Sequence, residues 1–169
     1  MELLTANAIR QVGESISFRL SEQIGVQTYG GRSLVFAAPM TVSCQLTFDG
    51  KGFIVSGEAE TVLRSVCARC AESFDEPLSF AFEERFVKSA ELVADADEEC
   101  YTFEGDRITL DTALMDNLYL QLPLISVCRE DCKGLCPVCG VNRNESSCLC
   151  EQPKPEGPFA ALSALDLKD

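Results

Sequence analysis

Histidine is absent from all 169 residues of this chain. That removes the commonest general base, the usual ligand of catalytic zinc, and every Ser/His or Cys/His nucleophile pair. No export signal is expected either: Met1-Glu2-Leu3-Leu4 places an acid where a signal peptide has a basic region, and no apolar run follows. The longest apolar stretches are far too short to span a bilayer. Cations are scarce, with 14 Lys+Arg against 27 Asp+Glu and a net charge of −13. A field of that sign repels nucleic-acid phosphate and favours basic partners. No internal repeat is evident beyond two C-x2-C units. The expectation is a cytoplasmic binding protein, not an enzyme and with no membrane association.

Cysteine is what the chain has in excess. There are ten, and six crowd together as Cys128, Cys132, Cys136, Cys139, Cys148 and Cys150. Two more form a separate pair at Cys67 and Cys70. In a reducing compartment clustered cysteines read as metal ligands rather than disulfides. A disulfide framework would need an export signal, which is not expected here. At 46% hydrophobic residues the chain can bury a real core, and its length suits one domain with a small appendage.

Alternation dominates the first half. Met40, Val42, Cys44, Leu46 and Phe48 fall on one face of a strand. Asp49-Gly50-Lys51-Gly52 signals a turn, and Phe53, Val55, Gly57, Ala59, Thr61 and Leu63 continue with period two. Leu78, Phe80 and Phe82 alternate again, so the pattern predicts an antiparallel meander with one face on the core. The acidic stretch 89–99 reads as a solvated loop with one helical turn at most. Arg107 to Leu110 reads as a short strand. Asp111 is the expected N-cap of a helix through about Leu122, with Leu114, Leu118 and Leu122 every fourth residue and Pro123 ending it. After a Pro-rich linker, Pro158 can open a short helix with Phe159, Leu162 and Leu165 on one side. The expected class is α+β: an antiparallel β-rich domain, a meander or half-barrel, with a few helices and a zinc-stapled cysteine module. Expected boundaries are 1–127 for the core, 128–152 for the cysteine module packed on the 67–70 hairpin, and 153–169 for linker and helix.

Zinc favours four soft ligands in a tetrahedron, and two cysteines separated by two residues can bite one ion. Cys136-Pro137-Val138-Cys139-Gly140 is such a knuckle. Pro137 stiffens it, and Gly140 permits the positive φ that turns backbone N–H groups toward the sulfurs. Cys148 and Cys150 follow and complete one four-thiolate set. Cys67-Ala68-Arg69-Cys70, expected at a hairpin tip, needs two partners from elsewhere, and Cys128 and Cys132 are left over. A second site from Cys67, Cys70, Cys128 and Cys132 would close a loop of roughly sixty residues. Two Zn²⁺ are therefore expected, taking the net charge to about −17. Alternatively Cys128 and Cys132 are unliganded and Cys67/Cys70 form a redox pair. Cys44 reads as an apolar core residue; Cys100 fits neither set.

Arg64, Arg69, Arg129, Lys133 and Arg143 gather around these ligands. They neutralise thiolate charge or, on a sharper reading, form a small RNA-binding patch of Arg69, Arg129, Lys133 and Arg143. Cys132-x3-Cys136-x2-Cys139 matches the spacing that holds an iron–sulfur cluster in radical-SAM enzymes, but no alternating β/α pattern follows it. A ferredoxin-type spacing, with Pro after the last cysteine, is not met either.

Several of these residues together resemble a known family. They are Cys67-Ala68-Arg69-Cys70 after a β-rich stretch, Leu122-Pro123-Leu124, Cys132-Lys133-Gly134-Leu135-Cys136-Pro137-Val138-Cys139-Gly140 with Asn142, Asn144 and Cys148-x-Cys150, and the closing Pro158-Phe159-Ala160-Ala161-Leu162. The resemblance is to the YceD family of large-subunit ribosomal-RNA accumulation proteins, from about Met40 to Leu167. It implies a non-enzymatic ribosome biogenesis factor supporting rRNA accumulation. The family's gene commonly lies beside that of a small basic large-subunit ribosomal protein. The implied partner is that kind of protein or a pre-ribosomal particle, with direct rRNA contact as the alternative.

Overall fold

The structure, a computed structural model, describes residues 1–10, 12–89 and 100–151. In chain order the elements are β1 (Glu2–Leu4), a 3-10 turn (Ala8–Arg10), β2 (Ser15–Glu22), β3 (Gln27–Tyr29), β4 (Arg32–Phe36), β5 (Met40–Phe48), β6 (Phe53–Val66), β7 (Ser73–Lys88), β8 (Tyr101–Phe103), β9 (Arg107–Thr109) and α1 (Asp111–Gln121).

Period-two patterning becomes strand pairing where it was expected. Met40, Val42, Cys44 and Leu46 of β5 are all buried, as are Phe53, Val55, Ala59, Thr61 and Leu63 of β6. The turn between them is set by Asp49, whose carboxylate accepts the N–H groups of Lys51 and Gly52 at 2.8 and 2.7 Å. Gly50 takes φ 96° there, and Phe48 pairs with Phe53. Cys44 faces Gly57 across the ladder. A Cβ on Gly57 would lie 2.3 Å from the Ser43 carbonyl oxygen, so only glycine fits this mid-strand position.

β6 organises the main sheet. β7 pairs along its whole length, from Phe53↔Phe86 to Val66↔Ser73. Its other edge is shared by β5 and, further along, β4. Residues 37–39 bridge those two strands, and Ala37 N–H still donates to the Val62 carbonyl at 2.8 Å. Pro39, without an N–H, marks the break. β2 extends the sheet beyond β5, β3 pairs with β4, and β8 joins β7 in the one parallel pairing among the described residues. β1 and β9 form a separate two-stranded ribbon.

The core lies between the inner sheet face and α1. Phe80, Phe82 and Phe86 of β7 meet Ala113, Leu114 and Leu118 of the helix in one apolar cluster. Each buried Leu or Phe contributes about 1.5–3 kcal/mol. The molecule is thus mostly antiparallel sheet with a single α-helix among the described residues. The expected helix from Pro158, and residues 90–99 of the acidic stretch, lie outside them.

One expectation is corrected. Asp111 is the first residue of the helix, not its cap; Leu110 holds the cap position in a helical conformation with no side-chain capping bond. Leu110 is fully buried and its N–H donates to the Met1 carbonyl. Core packing, not a capping side chain, fixes where the helix begins. The far end follows the sequence: Leu122 is extended at ψ 130° ahead of Pro123. No described helix is long and apolar enough to cross a membrane.

Candidate metal centres

Eight thiols converge in two groups of four, Cys67/Cys70/Cys128/Cys132 and Cys136/Cys139/Cys148/Cys150, with all sulfurs of a group within 4.8 Å of one another. These are the two sets that the spacing suggested.

The first group forms at the tip of the β6–β7 hairpin. Cys67 follows the last residue of β6, and the Cys67–Cys70 knuckle turns the chain back into β7. Cys67 N–H donates to the Glu72 carbonyl at 2.9 Å and Ala71 N–H to the Cys67 carbonyl at 2.9 Å. Ala71 is the one non-glycine residue among those described with positive φ, at 60°. Residues 126–132 supply the other wall, where Ala68 N–H donates to the Ser126 carbonyl at 2.9 Å. Ser65 and Ser126 both donate to Glu76 Oε2, at 2.6 and 2.8 Å, holding that wall to the hairpin. Cys67, Cys70 and Cys132 are buried, with Phe74, Val127 and Cys128 packed around them as a second small core.

The sulfur spacing suits a tetrahedral ion. Cys67 Sγ lies 3.8 Å from Cys132 Sγ, and Cys70 Sγ lies 3.8 Å from Cys128 Sγ. A zinc–sulfur bond of about 2.3 Å puts neighbouring sulfurs of a tetrahedron about 3.8 Å apart, whereas a disulfide brings them to about 2.05 Å. The electrostatics agree. Backbone N–H groups of Cys128, Cys70 and Arg69 outweigh burial and hold the Cys67 thiol down at about 6. Burial and the neighbouring sulfurs push Cys128 up to about 12. Four thiolates this close cannot all ionise without a cation among them.

The second group is a local module. Cys136 N–H donates to the Val141 carbonyl and Gly140 N–H to the Cys136 carbonyl, both at 2.8 Å, closing the knuckle. Gly140 takes φ 72°, the counterpart of Ala71 in the first knuckle. N–H groups of Cys139 and Val138 lower the Cys136 thiol to about 6, while the Cys139 sulfur and burial raise Cys150 to about 12. Cys136 is buried and Cys139 exposed. The thiolate-only donor set of both groups fits zinc or another soft metal.

Asn144 joins the two groups. Its Oδ1 accepts Lys133 N–H at 2.9 Å, and its Nδ2 donates to Cys132 Sγ at 3.4 Å and to Asn142 Oδ1 at 2.8 Å. It sits between Cys139 and Cys148 in sequence, yet it bonds a sulfur of the other group. Gly134 makes the second link. Its φ is 67°, a Cβ there would lie 2.9 Å from the Arg69 carbonyl, and Leu135 N–H donates to that carbonyl at 2.8 Å. The sequence reading gave Asn144 no role; an amide five residues after Cys139 and four before Cys148 has no spacing rule to announce it.

The cations are mostly engaged. Arg69 Nη1 donates to the Glu130 and Cys132 carbonyls at 2.9 and 3.1 Å. Arg64 pairs with Asp75 at 2.8 Å and Arg129 with Asp131 at 3.4 Å. Lys133 and Arg143 bond within the module through their backbone N–H groups, not through their cationic side chains. Cys44 is buried in the sheet, and Cys100 is half-buried beside α1.

Comparison with known proteins places these features in a family. The family described as large ribosomal RNA subunit accumulation protein YceD matches residues 55–166, which include all eight clustered cysteines. The match begins later than the Met40 expected. An uncharacterized protein of Mycobacterium tuberculosis is 33% identical over 93 residues, 54% of this chain and 45% of its own length. The chloroplastic large ribosomal RNA subunit accumulation protein YCED homolog 1 of Arabidopsis thaliana is 24% identical over 155 residues, covering 73% of this chain and 48% of its own. The Zea mays protein of the same name is 28% identical over 149 residues, covering 70% and 51%. The chain spans about half the length of these relatives. No solved structure matches. With both thiolate groups and the hairpin that carries the first knuckle inside the matched span, this chain belongs to the YceD family of large ribosomal RNA subunit accumulation proteins.

Proposed function

We propose that this chain is a non-catalytic, cytoplasmic assembly factor that supports large-subunit rRNA accumulation by binding a basic ribosomal protein or pre-ribosomal particle. The observation that carries the reading is family membership, since the name shared by the family and its plant relatives concerns rRNA accumulation. Charge favours a basic partner. Glu58, Glu60 and Glu83 are exposed on the outer face of β6 and β7, and none forms an ion pair among the described residues. Glu58 stands opposite Ala81, two residues from Glu83, so the carboxylates are neighbours on one face. They are the candidate steering surface; Asp95, Asp97, Glu98 and Glu99 of the acidic stretch lie outside the described residues. Direct rRNA contact is less favoured, because Arg64 and Arg129 already face acids and Arg69 is spent on carbonyls.

In this reading zinc has a structural role. Cys67, Cys70, Cys128 and Cys132 would hold one ion and Cys136, Cys139, Cys148 and Cys150 another. Each ion would stabilise the turn that presents its ligands. Four thiolates leave no open coordination position for substrate. The 128–152 module then acts as a unit docked on the 67–70 hairpin. A thiol redox role for Cys67 and Cys70 is less favoured, since reactive thiols sit partly exposed and both sulfurs are buried.

The test is capture of ribosomal material from lysate by the full chain, with and without RNase. The expected result is a basic protein retained after RNase, weakened by salt and by Glu58→Lys with Glu60→Lys and Glu83→Lys. Capture that vanishes with RNase and with Lys133→Glu/Arg143→Glu would replace this reading by direct rRNA binding.

A further inference from the structure

All three methionines of the chain, Met1, Met40 and Met115, line one cavity of about 490 Å³. It opens between the end of β2, the start of β5, the residues leading into β3 and the first turns of α1. Its volume is in the usual range for a binding site. Met40 is fully buried and Met115 half-buried. A thioether side chain is unbranched and polarizable, so a wall of methionines adapts to apolar groups of differing shape. Such a wall suits an apolar side chain carried in by a partner.

The charged groups around it are mostly acids. Glu22, Asp111 and Asp116 line the same cavity, and no lysine or arginine does. The Met1 amine pairs with Glu22 at 3.1 Å and with Asp111, yet both carboxylates stay more than half exposed, so a second cation can reach them. Asp116 accepts the Tyr101 hydroxyl at 2.9 Å, a bond that orients its carboxylate without neutralising it. It has no ion pair among the described residues. Three carboxylates against one amine leave about −2 around the cavity. An apolar wall beside acids fits an apolar side chain flanked by lysine or arginine. The same charge opposes an acidic peptide and nucleic-acid phosphate.

We propose that this cavity docks a basic, amphipathic segment of a protein partner, with an apolar side chain against the methionines and its cations at Glu22, Asp111 and Asp116. The proposal rests on the reading that the partner is basic, and it adds the place where that partner is held. Glu58, Glu60 and Glu83 attract the partner at long range, and the cavity binds it at contact.

The test labels the methionine methyl groups of the full chain with carbon-13, so that all three NMR signals report on the cavity. Met115→Leu assigns one of them. The probe is the peptide acetyl-Leu-Lys-Lys-Leu-Leu-Lys-Lys-Leu-amide. The expected result is a saturable shift of the Met115 signal. The shift should be absent with the peptide in which glutamate replaces every lysine, and with the one in which serine replaces every leucine. Glu22→Gln/Asp116→Asn keeps side-chain size and an acceptor for Tyr101, and should weaken binding severalfold with far-UV circular dichroism unchanged. Peptide binding that moves no methionine signal, equal shifts with the glutamate peptide, or unaltered affinity in the double variant would overturn the proposal. RNase-resistant capture of a basic protein that persists at full strength in the double variant would also overturn it, while leaving the assembly-factor reading in place. Loss of capture on RNase treatment, with the peptide still shifting Met115, would remove that reading and support the cavity as a site for basic segments.

Discussion

The two thiol groups are built on the same C-x2-C knuckle and do different structural work. In the first, sulfurs 58 and 65 residues apart meet at the tip of a long hairpin, and three of the four thiols are buried. In the second, all four thiols come from residues 136–150, with Cys139 exposed. Closing the longer loop costs about 1 kcal/mol more in chain entropy. A bond there restrains the tertiary fold, whereas one in the second group shapes a local turn. The contrast suggests that a metal in the first centre staples the sheet to the segment after α1. A metal in the second would stiffen a module that Asn144 and Leu135 dock onto it.

The largest difference should follow removal of a ligand. Cys132→Ser is expected to destabilise the whole chain by several kcal/mol, because structural zinc contributes on the order of 10–16 kcal/mol in small peptides at neutral pH. Cys139→Ser should leave the sheet intact, with a clearly smaller drop in melting temperature by circular dichroism. Equal shifts would break the distinction. A chelator competition should show the same order. Metal leaves the exposed second centre first, giving two phases, and Cys139→Ser abolishes the fast one.

A smaller effect is expected at the link. Asn144→Asp removes the amide donor from Cys132 Sγ and sets an anion beside that sulfur. It should cost about 1–3 kcal/mol and speed metal release from the first centre, although residue 144 is not among the eight thiols. Unchanged slow-phase kinetics would mean that the two groups are independent. The smallest effects concern the knuckles themselves. Ala71→Gly relieves a left-handed alanine and should gain about 1 kcal/mol, while Gly140→Ala should lose about 1–2 kcal/mol. Chemical denaturation resolves both, and a loss on Ala71→Gly would contradict the parallel between them.

Much of this was legible beforehand where chemistry imposes a period. Alternation in 40–48 and 53–63 gave the central hairpin because a strand with one buried face must repeat every second residue. Cysteine spacing gave both thiol groups because a knuckle needs two residues between its ligands. Three-residue strands carry no period, so the pairing of β1 with β9 and of β8 with β7 left no mark. Neither did the sharing of one β6 edge by β4 and β5, which depends on the partner's length rather than on local pattern. Asp111 misled because a good capping residue sits beside Leu110, and burial of Leu110 decided the helix start. Asn144 was quoted only within a resemblance, since its bond to Cys132 exists only once two separate loops have met.

Native mass spectrometry of the full chain, purified without added metal and compared with its denatured mass, tests the two-centre assignment most directly. The expected result is two zinc ions per chain, with the eight clustered thiols protected from alkylation until the protein is denatured. A single zinc with Cys67 alkylated in the native protein would contradict the first centre, and a metal-free chain with reactive Cys136 and Cys139 would contradict the second.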